Sequence, residues 1–152
     1  MKIYNLKDNI KYLDEVATLE FEEWADNKEY NKEARINKKK NGIIEKFSDD
    51  DFCKLILVDK DNLIGFISIF SQDCEECEEL TPWYATMYVK KEYRGKGYSR
   101  ILNDAILKEA RNRNYERIYL KTTLINYYEK FGAEFIKKLD NGEKIYKFEL
   151  ML

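Results

Sequence analysis

No histidine occurs anywhere in the 152 residues. That absence excludes the Ser-His-Asp and Cys-His nucleophile arrangements and the His-based metal sites, so acid and base work falls to Asp, Glu, Tyr, Cys or Lys. Proline occurs once, and no low-complexity tract is present, which argues against a disordered chain. Long apolar runs are missing too, because charges interrupt each one well short of a membrane span. The first residues, "MKIYNLKDNIKYLDEV", lack the continuous apolar core of a signal peptide. Neither sign of charge prevails: the net is −2, so no global positive field draws the chain to nucleic acid or to a membrane surface. A cytoplasmic protein with no nucleic-acid and no membrane partner is the expectation.

Cysteine is scarce, at Cys53, Cys74 and Cys77. "CEEC" has the spacing of a zinc half-site or a redox dithiol. A closed zinc site wants four ligands, and without histidine this chain would need a carboxylate or a second subunit. Glu75, Glu76, Glu78 and Glu79 flank or separate the thiols and oppose their ionisation. The expectation is a surface loop with two reduced thiols, and no metal.

What is present is 44% hydrophobic and 37% charged residue, enough for one domain with a real core. Residues 2–6 alternate as a strand, and Asp8 is placed to cap a helix over 9–26 in which Ile10, Leu13, Val16, Ala17, Phe21 and Trp24 keep helical spacing. A second helical stretch, 29–47, is broken by Asn41 and Gly42. Two β-rich runs, 53–59 and 63–70, flank "DKDN" as a hairpin. An acidic loop follows, then a strand near 83–90 with Pro82 at its entrance. A helix to about 112, the strand "ERIYLKT", a short helix stopped by Gly132 and a hairpin around "DNGE" complete the order β-α-α-β-β-β-α-β-α-β-β. This order predicts an α/β fold of the mixed-sheet, α+β kind: one domain over 1–152, a mostly antiparallel sheet and helices on both faces.

Between the strand near 83–90 and its following helix lies "EYRGKGYS". Gly95 and Gly97 let the backbone approach a ligand closely, a helix N-terminus presents free N–H groups, and Arg94, Lys96 and Arg100 add charge. A phosphate cradle fits; a helix-capping turn with solvated basic side chains fits equally on spacing alone. The mononucleotide loop is excluded because Lys96 is followed by Gly97 rather than Ser or Thr, and the dinucleotide fingerprint lacks its third glycine.

"MYVKKEYRGKGYSRIL" resembles the acyl-CoA-binding signature of the GNAT superfamily of N-acetyltransferases, R/Q-x-x-G-x-G/A between a strand and a helix. Arg94, Gly97 and Ser99 occupy its three named positions, Ser99 departing from the usual Gly or Ala. "NYYEKFGAEF" is similar to the family's later "YEK-x-G-F" segment, and the order of elements agrees from about residue 50 onward. The resemblance implies a sheet splayed at its middle strands and acetyl-CoA in the notch between strands 83–90 and 116–121. The backbone of Met87, Tyr88 and Val89 would hold the acetyl group and pantetheine arm, with Met87 as the oxyanion donor. The amides and side chains of Arg94, Gly95, Lys96, Gly97, Tyr98, Ser99 and Arg100 would hold the pyrophosphate. Tyr128 would face the sulfur as general acid, and Asn126 and Thr122 would lie near the pantetheine.

Direct attack by an amine on a thioester requires two oriented substrates, a donor for the acyl oxygen and the handling of two protons. A phenol suits one of them. The position where some family members carry a glutamate base falls near Trp83, so Glu79 is the candidate base. Acid clusters at 73–79 and in "EFEEWAD" would attract a small cationic amine, with Trp24, Glu78, Trp83 and Tyr84 as its pocket. A protein lysine or N-terminal acceptor, and a non-catalytic acyl-CoA sensor, are the competing readings. The lysines of 32–42 read as a solvated helix face. Exposed edge strands are compatible with a homodimer.

Overall fold

Runs of β-branched and aromatic residues become the strands of one sheet in the computed structural model, which describes residues 1–151. They are β1 (Lys2–Asn5), β2 (Cys53–Asp59), β3 (Asn62–Phe70), β4 (Trp83–Val89), β5 (Arg117–Thr122), β6 (Glu134–Lys138) and β7 (Lys144–Glu149). Their order is β1-β2-β3-β4-β5-β7-β6, and every neighbouring pair is antiparallel except β4 and β5. The mixed, mostly antiparallel sheet expected from the element order is therefore present.

Three helices cover it: α1 (Leu13–Trp24), α2 (Lys32–Lys46) and α3 (Tyr98–Asn112). β2 is buried along nearly its whole length because both its faces are covered. Ile56 and Val58 join Phe66, Val16, Ala17 and Ile43 under α1 and α2, whereas Leu55 and Leu57 join Ile67, Leu102 and Ile106 under α3. Among the described residues, no helix is long and apolar enough to cross a membrane.

Several local expectations need correction. The first helix starts at Leu13, after two short 3-10 turns at Leu6–Asp8 and Ile10–Tyr12, and the first turn is capped by Asn5 rather than by a helix cap at Asp8. α2 runs unbroken through Asn41 and Gly42; a Cβ at Gly42 would meet nothing within 4 Å. Cys74 and Cys77 are not surface thiols. Both are buried, unpaired by disulfide, beside Trp83 and Ile145.

Two features of β4 set up the site. β4 and β5 are in register only at Trp83 opposite Tyr119, after which the strands part. Along β3, Phe66 pairs with Tyr88 and Ser68 with Ala85, so Thr86 and Met87 together oppose Ile67: a β-bulge. Thr86 takes φ +51, a left-handed conformation normally closed to β-branched residues. The bulge reverses the side-chain alternation. Tyr84 and Tyr88 would share a face in a regular strand, yet Tyr84 packs in the α3-side core and Tyr88 in the α1-side core.

Close strand packing at the far end of β4 depends on Gly65, where an added Cβ would collide with the Tyr88 carbonyl oxygen and crowd Leu102 and Val89. Gly65→Ala is expected to destabilise the protein by about 1–3 kcal/mol through overpacking. Urea unfolding checks this, and an unchanged midpoint would refute it.

Candidate active site

Two grooves meet where β4 leaves β5. The first, about 690 Å³, runs from Met87 past Val89, Gly95, Gly97 and Ser99, with Leu124, Tyr127 and Tyr128 opposite. The second, about 480 Å³, is walled by Trp24, Asp73, Tyr84, Thr86, Lys121 and Glu143. Met87, Tyr128 and Glu23 line both. In the register of the sheet Met87 has no one-to-one partner: on β3 it shares Ile67 with Thr86, and on the β5 side the strands have already parted.

The floor of the first groove is the start of α3. Gly97 precedes the helix at φ +84 and Gly95 lies at φ +77, with no side-chain cap on the first turn and no acidic residue in it. Uncapped N–H groups and the positive end of a 15-residue helix suit an anion. A Cβ on either glycine would meet no protein atom within 4 Å, so the space above them is open to a ligand. Tyr93 and Tyr98 brace the loop edge to face, 6.1 Å between centroids. Arg94 folds back: its Nε donates to the Val89 carbonyl at 2.8 Å and its guanidinium lies 5.4 Å from the Tyr88 ring.

Over residues 11–133 the sequence matches the acetyltransferase (GNAT) family. The chain belongs to the GNAT family of acetyltransferases. It is 33% identical over 89 residues to N-alpha-acetyltransferase 30 of Schizosaccharomyces pombe, a match covering 55% of this chain and 59% of that protein. Among solved structures, an aminoglycoside 6'-N-acetyltransferase complexed with coenzyme A is similar at TM-score 0.72 and 18% identity, covering 100% of this chain and 98% of that one. A spermidine N-acetyltransferase chimera from Vibrio cholerae and hSSAT is similar at TM-score 0.73 and 18% identity, over 99% and 97% of the two chains. The PaiA N-acetyltransferase of Thermoplasma acidophilum, in complex with coenzyme A, is similar at TM-score 0.66 and 23% identity, over 98% and 99%. At these identities the structural likeness is one of fold.

In this GNAT fold the two open glycines, the uncapped helix start and the notch beside Met87 fit acetyl-CoA, the co-substrate of the family. Tyr128 stands in a 3-10 turn, Tyr128–Phe131, ended by Gly132 at φ +97. Its ring is edge-on to Tyr84 at 5.8 Å and to Tyr127 at 4.8 Å. Burial, with Tyr127 adding, pushes its phenol up to about 12. Tyr84 reaches the second groove with its ring only: the side chain is buried and its hydroxyl donates to Asn103 Oδ1 at 2.8 Å.

Other expected site residues fall elsewhere. Trp83 is fully buried behind the sheet among Cys74, Cys77 and Ile145, with Nε1 donating to the Leu80 carbonyl, so it forms no acceptor wall. Glu79 is exposed and borders neither groove, which removes it as the base. Glu78 borders an adjoining hollow of about 810 Å³ instead. Asn126 is exposed outside both grooves, at φ +58, and its neighbours Leu124 and Tyr127 line the first. Lys96 and Arg100 are exposed, Arg100 lying over the Phe131 ring at 5.4 Å.

Sequence reasoning did not single out Glu23, Thr86, Lys121, Tyr127 or Glu143 as site residues. Glu23 lies in the acidic end of α1 that had been noticed as a cluster; Thr86 had no sequence signal, since threonine is a poor candidate for a left-handed bulge. Burial raises the Asp73 carboxyl, Lys121 opposing and Glu143 adding.

Proposed function

We propose that the chain, as one N-acetyltransferase domain, transfers an acetyl group from acetyl-CoA to a primary amine of a small cationic molecule, by direct attack with both substrates bound. The observation that carries this reading is that Met87 and Tyr128 line both grooves. When bound, acetyl-CoA supplies the activated acyl group. The Gly95–Arg100 amides hold the pyrophosphate. The Met87 N–H, where β4 has parted from β5, donates to the acyl oxygen as charge builds on it, and Tyr128 donates at the sulfur. Glu23, which lines both grooves, takes the place assigned to Glu79 as the base for the incoming amine.

The acceptor class follows from charge. Asp73, Glu143 and Glu23 wall the second groove, and Glu75, Glu76 and Glu78 extend the acidic surface into the adjoining hollow. Such a field concentrates polycations. Fold neighbours that act on aminoglycosides and spermidine support the same class. A second reading, an N-terminal amine of a protein, has the support of the identity to N-alpha-acetyltransferase 30.

A CoA-release assay with spermidine, aminoglycosides and peptides of free N-terminus separates the two. Turnover of spermidine or an aminoglycoside is expected, weakened by added salt. Turnover of peptides alone would overturn the small-amine reading.

A further inference from the structure

Lys54 is a lysine in a central strand, 1% exposed, and Glu20 on α1 is 4% exposed. All three ammonium donors are used: Glu20 Oε1 at 2.6 Å, Ser68 Oγ at 2.6 Å and Thr86 Oγ1 at 3.2 Å. The Ser68 and Thr86 hydroxyls also bond each other at 2.6 Å. Thus one buried cluster joins α1, β2, β3 and the bulge of β4. Replacing such a pair by apolar residues is often neutral or stabilising, because desolvation offsets the attraction; its presence therefore calls for another account than stability.

That account lies at the cluster's end. Thr86 is the bulge residue at φ +51, a conformation that glycine takes freely and threonine does not. Two hydrogen bonds hold its hydroxyl where a relaxed, extended Thr86 would not reach. Met87, the next residue, owes its irregular place in the register to that bulge.

We infer that Glu20, Lys54 and Ser68 are positioning residues for acyl transfer, holding Thr86 in the left-handed bulge that sets the direction of the Met87 backbone at the notch between β4 and β5. None of the three is a catalytic residue. The inference rests on the function proposed above for Met87.

The test uses the full chain. Thr86→Val, which removes the hydroxyl at nearly constant volume, and the double variant Glu20→Leu/Lys54→Met, which leaves no unpaired charge, are each expected to lower kcat roughly ten- to a hundredfold, the cost of a small misplacement. KM for acetyl-CoA changes much less, since the α3 cradle is untouched. Adding Thr86→Gly to the double variant restores most of the lost kcat, because glycine needs no anchor to hold the bulge. A packing role predicts the reverse, as glycine leaves a larger hole than valine.

Amide hydrogen exchange of residues 85–88, measured without ligand, reads the same effect independently of activity. Exchange that departs from the parent for Thr86→Val and the double variant, and returns to the parent rate with Thr86→Gly, supports the inference. Unchanged exchange, or no rescue by glycine, overturns it. Absence of CoA release from the parent protein with every amine would instead sink the proposed function, while exchange still decides whether the cluster holds the bulge.

Discussion

Tyr128→Phe is expected to lower kcat by roughly a hundred- to a thousandfold, the cost of losing one donor aimed at developing charge. The ring contacts to Tyr84 and Tyr127 remain in the variant, so binding of acetyl-CoA and thermal stability change little. A phenol raised to about 12 is a weaker acid than a thiol, whose ordinary value is about 8.5. In the proposed reaction its contribution is therefore chiefly a hydrogen bond to the charge building on sulfur. The sign of the pH dependence follows: the proton stays on Tyr128 from neutrality to pH ~10, the ordinary phenol value. In that range kcat has no descending limb due to Tyr128. Steady-state assays of parent and variant from pH 6 to pH ~10 check both points. Equal kcat in the two proteins would reduce Tyr128 to a packed aromatic.

Gly95→Val/Gly97→Val is the second large effect. Both glycines sit at positive φ, +77 and +84, and valine at such a position costs about 1–3 kcal/mol. The unliganded variant loop relaxes from positive φ, and restoring it on binding costs about 2–6 kcal/mol for the two positions, which weakens acetyl-CoA by roughly thirtyfold to twenty-thousandfold, since ~1.4 kcal/mol is tenfold. No protein atom stands within 4 Å of either new Cβ, so the loss falls on the loop and its ligand rather than on the core. Calorimetric titration with acetyl-CoA and with CoA measures it, and circular dichroism confirms the fold. Affinity unchanged from the parent would make the glycine stretch a helix cap only.

The elements were legible where a local pattern was strong. Helical spacing marked Leu102, Ile106 and Ala110, and α3 ends at Asn112 as its pattern predicts. The hairpin at 53–70 was legible too, although its turn places Lys60 and Asp61 at φ +51 and +65, where glycine or asparagine would be the usual signal. The reading failed where proximity, not pattern, decides the outcome. Asn41 and Gly42 read as a break, yet burial of Ile43 of α2 in the core with Val16, Ile56 and Phe66 outweighs the cost of one glycine, about 1 kcal/mol. Proximity in sequence to β4 suggests Glu79 and Trp83 for the acceptor side, yet Glu79 is exposed away from both grooves and Trp83, the first residue of β4, is fully buried.

From the sequence alone come the absence of imidazole chemistry, the glycine-bearing helix start and the aromatic turn carrying Tyr128, because each depends on residue types and short spacings. Tertiary structure alone decided which carboxylates wall the second groove, and that Lys54, Glu20, Ser68 and Thr86 form one cluster. Glu20 and Lys54 stand 34 residues apart in sequence and Lys54 and Thr86 stand 32 apart, so no local periodicity encodes their meeting. The bulge at Thr86 is decided the same way: its intrinsic preference is for extended chain, and only partners on β2 and β3 hold it otherwise.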